Sequence, residues 1–302
     1  MDKRDAPHMK ALHRLSRLGQ LEWSQARFYL ILGDIHGHIQ RALTLAIHLQ
    51  CLLDAPIQAV FQVGDFGFWP RGRQFQQEDL YYKQEDALDF FTMRSSSDLR
   101  RFFSAGEATL ETLSAPLYFI RGNHEDFEML QTLSKEHPTE VLSGIYFLPD
   151  YFAGEAAGLR IAAVGGILTD IDRGKGKQAR ILFKKAQQQA QTDPRRTSAQ
   201  LLAQAFLSHY DLLLTHSGLS SRETRDGSRQ LETYLHQQTI RLHFYGHHHR
   251  FSCGQVGQQT LSIGLRSVEE DAQGSLRTGS FAIVAWKDRN NFEVYSDVQP
   301  GY

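Results

Sequence analysis

The sequence is poor in cysteine, in long apolar runs and in net charge, and each shortage excludes a class of protein. Its 302 residues contain two cysteines, Cys51 and Cys253, so a disulfide framework is excluded and a reducing compartment is expected. No run approaches the about 18 apolar residues that a membrane span needs. The first ten residues are charged where a signal peptide has an apolar stretch. We therefore expect a cytoplasmic protein with no membrane partner.

The charge balance opposes a surface built wholly for nucleic acid. There are 33 basic and 34 acidic residues, a formal net charge of −1, and 41% of the chain is hydrophobic, enough for a folded core. Two segments depart from this balance. Residues 76–99 carry six acidic and two basic residues, and residues 173–196 carry eight basic residues and one acid. The basic segment is either a solvated face or a rim that attracts phosphate.

Apolar runs that stop at a glycine or polar turn predict buried strands, and the periodic segment Ile39–Leu53 between two of them predicts a helix. This alternation is typical of α/β proteins. Further strands are expected after Gln258, with a hairpin around Asp288–Asn291. The runs read as strands are Phe28–Leu32, Ala59–Val63, Leu117–Ile120, Leu159–Val164, Asp211–Leu214 and Leu242–Tyr245.

The predicted domain organisation is one α/β domain with a short extension. Leu12, Leu15, Leu18 and Leu21 suggest an amphipathic helix, so residues 1–27 are predicted to be an N-terminal helical extension. Residues 28–302 are predicted to form the single domain, with helical insertions near 72–114 and 171–208.

Five of the predicted strands end in residues of the kind that bind metals. Because strand ends at one edge of a sheet converge, and ligands of open α/β sheets collect there, the set carries more weight than any member. The five segments are Gly33-Asp34-Ile35-His36-Gly37, Gly64-Asp65-Phe66-Gly67, Gly122-Asn123-His124-Glu125, Thr215-His216-Ser217-Gly218 and Gly246-His247-His248-His249.

The spacing of these residues favours chelation of divalent metals. Asp34 and His36 are two residues apart, and on an extended segment both side chains would point the same way. His247 and His249 repeat this spacing. Imidazole suits zinc, iron and manganese, whereas carboxylate and amide oxygens suit manganese and harder ions. Two divalent ions with the carboxylates of Asp34 and Asp65 would leave about +2 of charge for a phosphate group and a hydroxide.

In their order and spacing, these segments resemble the motif set of the calcineurin-like metallophosphoesterase superfamily over residues 28–249. The resemblance implies an α/β fold, a four-layer α/β/β/α sandwich with its active site at the carboxyl ends of the strands. It implies that Asp34, His36 and His249 hold one metal and that Asp65 bridges. It also implies that Asn123, His216 and His247 hold the second metal.

The resemblance also implies a reaction. A hydroxide shared by the two metals would attack phosphorus, with His124 as the general acid for the leaving oxygen. Manganese is the expected metal, with iron, zinc, nickel or cobalt as alternatives. His38 and His248 lie in the motifs without an assigned role, and Asp126 is one candidate to orient His124.

The second motif departs from the protein Ser/Thr phosphatase branch, which continues Gly-Asp-x-x-Asp-Arg-Gly. Here Phe68 and Trp69 stand where that branch has its orienting Asp and its phosphate-clamping Arg. Phe66, Phe68 and Trp69 are either core residues or a wall on which bases stack. The candidate substrate-binding residues are Arg71, Arg73, Arg121, Arg250 and Trp69, and the arginines are alternatively ordinary surface residues.

We therefore expect a metal-dependent phosphoesterase, with a phosphodiester substrate, such as a nucleotide or nucleic acid, slightly favoured. The alternatives are a phosphomonoesterase for small molecules or proteins and a non-catalytic scaffold on the same fold. A dinucleotide-binding module has little support, because no Gly-x-Gly-x-x-Gly follows the first strand. The oligomeric state stays open.

Overall fold

Two β-sheets form the centre of this mixed α/β fold. The computed structural model describes residues 12–70, 113–170, 184, 188, 192–202, 209–220 and 227–299. A third, two-stranded ladder lies beside them and joins β9 (Ile167–Thr169) to β10 (Arg196–Ser198) in parallel.

The first sheet has eight strands in the order β1-β16-β15-β2-β3-β4-β6-β5. The run β2-β3-β4-β6 is parallel, and antiparallel strands complete the sheet on both sides. Its strands are β1 (His13–Leu18), β2 (Arg27–Leu32), β3 (Ile57–Gln62), β4 (Leu117–Phe119), β5 (Thr139–Leu142), β6 (Ile145–Phe147), β15 (Phe281–Asp288) and β16 (Asn291–Ser296).

The second sheet has six strands in the order β13-β14-β12-β11-β8-β7. Its four inner strands are parallel and its two edge strands are antiparallel. The strands are β7 (Phe152–Ala156), β8 (Leu159–Val164), β11 (Leu212–Thr215), β12 (Leu242–Tyr245), β13 (Ser252–Val256) and β14 (Thr260–Gly264).

Three apolar clusters pack helices and sheets together. One joins the first sheet to α1 (Ile39–Leu53), a second fills the space between the two sheets, and a third joins the second sheet to α3 (Arg229–Gln237). Successive strand residues alternate between clusters, as Leu30 and Ile31 of β2 do, because strand side chains point to opposite faces. The remaining described helices are α2 (Phe127–Gln131) and the 3₁₀ turns Trp23–Gln25 and Ala199–Leu201.

The strand and helix predictions are confirmed where they concern strongly patterned segments. All six apolar runs form strands within two residues of the predicted limits, and α1 spans Ile39–Leu53 as predicted. The C-terminal hairpin forms between β15 and β16. Among the described helices, none combines the length and apolarity needed to cross a membrane.

The predicted N-terminal helix is wrong for residues 13–18. They form β1, an edge strand that pairs with β16 and belongs to the main sheet. A bulge between Arg14 and Ser16 shifts the register. Leu15 packs against the apolar cluster between the two sheets, whereas Leu18 is 37% exposed. Arg14 and Arg17 also reach the buried Glu293 carboxylate of β16, at 3.4 and 3.2 Å. Pairing with a neighbouring strand thus overrides the helical period.

The predicted insertions fall largely on positions that the structure does not describe. The acidic segment 76–99 lies wholly among them, as does most of the basic segment 173–196. Within the described part of the basic segment, Asp193 forms ion pairs with Arg195 and Arg196 at 2.8 and 3.4 Å. Residues 196–198 form β10 rather than a helix.

Candidate metal centre

The five motif segments follow strands whose carboxyl ends meet at one edge of the two sheets. β2, β3 and β4 are parallel neighbours in the first sheet, and β11 and β12 are parallel neighbours in the second. The loops are tied together by main-chain hydrogen bonds. Ile35 and His36 donate to the Asp65 carbonyl oxygen at 3.2 and 2.9 Å, and Gly246 donates to that of His216 at 3.2 Å.

Four side chains converge as one candidate metal-binding group. One donor atom each from Asp34, His36, Asp65 and His249 lies within 4.8 Å of all the others. His249 Nε2 lies 3.0 Å from Asp34 Oδ2 and 3.4 Å from His36 Nε2. The hydrogen bond to Asp34 raises the pKa of His249. Two imidazoles and two carboxylates are a donor set for a divalent transition metal.

A second donor group adjoins the first and shares Asp65. His216 Nε2 lies 3.0 Å from Asn123 Oδ1 and 3.5 Å from Asp65 Oδ1. The His247 ring centroid lies 4.9 Å from that of His216. Burial, with a smaller contribution from His216, lowers the pKa of His247 to about 4. The imidazole is therefore neutral at pH 7, as a metal ligand must be.

The hydrogen-bonding pattern around His216 is suited to a bound cation near its Nε2 atom. Its Nδ1 lies 3.0 Å from the Val63 carbonyl oxygen, which can only accept, so Nδ1 of a neutral His216 carries the proton. Nε2 then presents a lone pair to the oxygens of Asn123 and Asp65. Three lone pairs that converge with no hydrogen between them repel one another, and a bound metal ion would remove that repulsion.

Four of the predicted ligands lie on strained backbone. His36, Asp65, His247 and His249 have φ values of 45°, 49°, 63° and 49°, in the left-handed region that non-glycine residues seldom occupy. Such strain collects at functional sites, where the surrounding structure enforces it. The extended geometry predicted for the pairs Asp34/His36 and His247/His249 is therefore wrong, although the members of each pair do converge.

The Asp65 carboxylate is buried and held by the third motif. Its Oδ1 accepts hydrogen bonds from the main-chain N–H groups of Asn123 and His124, at 2.6 and 2.9 Å. Burial raises its pKa, but the surrounding histidines, His216 and His36 foremost, outweigh burial and hold the pKa at about 2. Asp65 is thus an anion at neutral pH, ready to bind cations.

Two buried side chains that received no role from the sequence hold these loops in place. Glu125 accepts main-chain N–H groups from Phe66, Phe68 and Gly122, at 2.8, 2.6 and 3.2 Å. Burial and the nearby Asp65 raise the pKa of Glu125 to about 8, although these donors act in the opposite direction. Gln62 donates to the carbonyl oxygens of Gly33 and Gly64 and accepts from the Gly64 N–H. A polar residue ending an apolar strand is the only sequence signal for Gln62.

His124 lies at the edge of the cluster. Its ring centroid is 5.7 Å from that of His36, and its main-chain N–H is bound to Asp65. Asp126, the candidate partner of His124, caps α2 by accepting the Met129 N–H at 3.2 Å. The pairing of His124 with Asp126 stays a prediction.

Arg121 was predicted to contact substrate, and the structure gives it a different role. Its guanidinium donates to Asp150, with Nε–Oδ2 at 2.8 Å, and to the Pro194 carbonyl oxygen at 2.8 Å. It also donates to the carbonyl of Arg196 and to the Thr197 hydroxyl. With its donors engaged and only 8% of the residue exposed, Arg121 joins β4 to β10 instead of binding phosphate.

The aromatic cluster is part of the core, so the base-stacking alternative is wrong. Phe66 and Trp69 are fully buried, and Phe68 nearly so. Phe66 stacks on Phe119 with ring centroids 4.1 Å apart. The prediction that Trp69 binds substrate fails for the same reason, because a fully buried ring cannot meet a ligand.

The remaining residues predicted to bind substrate are Arg71, Arg73 and Arg250. Arg250 is exposed and lines a cavity of about 530 Å³ together with His248, Tyr245 and Phe251. His38 precedes α1 as its N-cap residue and makes no side-chain cap. Arg71 and Arg73 lie outside the described residues.

A known protein family matches most of the chain. A sequence model of the calcineurin-like phosphoesterases matches residues 29–251, which include all five motif segments. No curated protein sequence matches the chain.

Solved structures show distant likeness across most of the chain. The protein TT1561 of Thermus thermophilus is 11% identical, with 90% of this chain and 100% of that chain covered and a TM-score of 0.45. A dimetal phosphatase from Danio rerio is 10% identical, with 90% and 97% covered and a TM-score of 0.49. A 5′-nucleotidase from Candida albicans is 14% identical, with 92% and 53% covered and a TM-score of 0.39.

The close approach of Gly122 to Asp65 gives a test of the site. A Cβ atom at Gly122 would collide with the carboxylate and main-chain nitrogen of Asp65, whereas one at Gly254 would meet nothing within 4 Å. We expect Gly122→Ala to weaken Mn²⁺ binding at least about tenfold, because it displaces a shared ligand. Gly254→Ala is the matched control and should bind Mn²⁺ like the wild type. Equal Mn²⁺ affinities of the two variants, measured by titration calorimetry, would contradict the arrangement.

Proposed function

The chain belongs to the calcineurin-like phosphoesterase family, and on that premise we propose that it hydrolyses phosphate esters with two divalent metal ions. The observation that carries this proposal is the pair of donor groups that share the Asp65 carboxylate. A single shared carboxylate between two sets of imidazole donors is the arrangement that a dinuclear site needs.

In this proposal each donor has a role. Asp34, His36 and His249 would hold one ion, and Asn123, His216 and His247 would hold the other, with Asp65 between them. The short distances within each group support this division. Manganese is the metal we propose, because the donors mix imidazole with carboxylate and amide oxygen, and iron, zinc, nickel or cobalt suit the same set.

When bound, two divalent ions would supply Lewis-acid chemistry that activates water and binds phosphate oxygens. The chain provides the charge balance that this chemistry requires. Asp34 and Asp65 are the two carboxylates of the donor groups, whereas the histidines and Asn123 are neutral ligands. The loaded site would therefore keep a net positive charge and attract an anionic phosphoester.

We propose His124 as the general acid. It lies beside His36 at the edge of the donor groups, and its main-chain N–H is bound to Asp65, which fixes its position relative to the metal ligands. An imidazolium there can protonate the oxygen that leaves phosphorus, so that the product departs as a neutral alcohol.

A phosphodiester is the substrate class that we favour. A monoester dianion carries one more negative charge than a diester and benefits more from a cationic clamp. Arg121, one of the predicted substrate-binding residues, is engaged by Asp150 and main-chain carbonyl oxygens. The diester proposal draws no support from the buried aromatic cluster, and a phosphomonoesterase remains the alternative.

A non-catalytic scaffold is the competing function of a different class. A scaffold has no need for two adjoining groups of metal-type donors, four of them on strained backbone. Their presence favours the enzyme.

Hydrolysis of aryl phosphates tests the proposed function. The purified protein should hydrolyse bis(4-nitrophenyl) phosphate faster than 4-nitrophenyl phosphate, and only after addition of Mn²⁺ or another transition-metal ion. Asp65→Asn should abolish the reaction, because it removes the shared anionic ligand. Loss of activity in this variant would also exclude a contaminating phosphatase as the source of the hydrolysis. The proposal would be refuted if folded wild-type protein hydrolysed neither ester with Mn²⁺ or with any other transition-metal ion tested. A preference for the monoester would overturn the diester assignment alone.

The role of His124 predicts a dependence on the leaving group. His124→Ala should lower kcat for an alkyl phosphate ester about 10²–10⁴-fold, because an alkoxide needs a proton to leave. It should affect a 4-nitrophenyl ester much less and leave the metal content unchanged. His137→Ala, at an exposed histidine, is the control. Equal losses for both esters would remove His124 from proton transfer.

A further inference from the structure

A histidine outside the motifs is connected to the loop that carries His216. His243 lies in the middle of β12 and is fully buried. Its neighbours across the sheet are Leu213 of β11 and Ser262 of β14. Its Nε2 lies 2.8 Å from Thr215 Oγ1, and its Nδ1 lies 2.8 Å from Ser262 Oγ. A buried histidine that uses both ring nitrogens is a link between strands.

The direction of each hydrogen bond follows from the donors available. The Thr215 hydroxyl donates its one proton to the Ser217 carbonyl oxygen at 2.6 Å, since that oxygen can only accept. Thr215 Oγ1 must then accept the proton on His243 Nε2. Burial lowers the pKa of His243 to about 3, so the ring is neutral at pH 7 and Nδ1 accepts from the Ser262 hydroxyl. A relay of hydrogen bonds, all donated in the same direction, thus runs from the Ser262 hydroxyl through His243 and Thr215 to the Ser217 carbonyl oxygen.

This relay ends on the two residues that flank His216. Thr215 and Ser217 are joined by the hydroxyl-to-carbonyl bond, which closes a tight turn around His216. Ser217 is also held from the other side, because its Oγ accepts the Leu168 N–H of β9 at 2.8 Å. The fully buried His216 ring then points Nε2 at Asn123 and Asp65. The direction in which Nε2 of His216 points therefore depends on a turn that the relay holds in place.

We propose that His243 is a positioning residue that holds His216 in place as a metal ligand through an Nε2–H donated to Thr215. This inference rests on the proposed function, since it concerns the second metal position of that same site. Within the part of the chain that the structure describes, His243 contacts Thr215, Ser262 and Tyr245, none of which belongs to the donor groups. Groups that orient metal ligands from one step away typically change metal affinity 10–100-fold when they are removed.

Two amide substitutions distinguish the roles of the two ring nitrogens of His243. In His243→Gln, the longer amide can place an N–H near the position of Nε2 and keep the donor to Thr215. In His243→Asn, the shorter amide can reach Ser262 from the position of Nδ1 but leaves Thr215 without a donor. We expect the Gln variant to bind two Mn²⁺ ions with nearly wild-type affinities. We expect the Asn variant to bind one Mn²⁺ normally and the other 10–100-fold more weakly, by titration calorimetry.

The same pair of variants shows what would overturn the inference. Equal Mn²⁺ affinities of the Gln and Asn variants would do so, as would a loss spread equally over both ions, which indicates general damage to the fold. Urea unfolding establishes whether each variant is folded. Should His243→Asn fail to fold, Thr215→Val and Thr215→Ser replace it. The Val variant should lose affinity for one ion, and the Ser variant should restore it, because only serine keeps the hydroxyl.

The tautomer of His243 provides a test without metal or substrate. The ¹⁵N chemical shifts of the metal-free protein should show a neutral ring with its proton on Nε2, and a proton on Nδ1 would reverse the relay and overturn the inference. This result is independent of hydrolysis. Protein that hydrolyses no ester yet shows the Nε2 tautomer and the predicted Mn²⁺ affinities refutes the proposed function alone. Active protein with the Nδ1 tautomer refutes the role of His243 alone.

Discussion

The buried Asp65 carboxylate is the constraint on which the rest of the site depends. An isolated carboxylate costs several kcal/mol to bury, so the fold must surround it with compensating groups. Main-chain N–H groups of Asn123 and His124 bind one oxygen. Nε2 of His36 lies 4.0 Å from the other oxygen and Nε2 of His216 lies 3.5 Å from the first, where a bound cation would complete the compensation. These partners come from the ends of strands in both sheets. Asp65 therefore lies where the strand ends of the two sheets meet.

The packing of two sheets explains how so many polar groups fit in one place. The apolar cluster between the sheets holds their strands together, while the carboxyl ends of the parallel strands bring the loops to a common edge. Buried polar side chains then fix each loop. Gln62 and Glu125 bind main-chain groups of the loops after β2, β3 and β4, and His243 reaches the loop after β11. The hydrogen bonds of these buried side chains hold the loops in which Asp65 and His36 keep their left-handed conformations.

Most of the metal-type residues could be predicted from the sequence, because apolar runs ending in Gly-Asp, Gly-Asn or Gly-His mark strand ends that converge. Side-chain direction could not be predicted. Arg121 follows a strand as the ligands do, but Asp150 and carbonyl oxygens far along the chain turn it away from the site. Trp69 lies four residues from Asp65, and its burial is decided by tertiary packing. His243 looked ordinary because its partners, Thr215 and Ser262, are distant in sequence.

Anomalous diffraction from crystals grown with Mn²⁺ would show whether Asp65 lies between two metal positions. We expect two anomalous peaks that share Asp65 as a ligand, one contacting Asp34, His36 and His249 and the other contacting Asn123, His216 and His247. A separation of about 3.5–4 Å between the peaks is expected of a dinuclear site. A single peak, or two peaks of which only one contacts Asp65, would show that Asp65 is not shared by two metal ions.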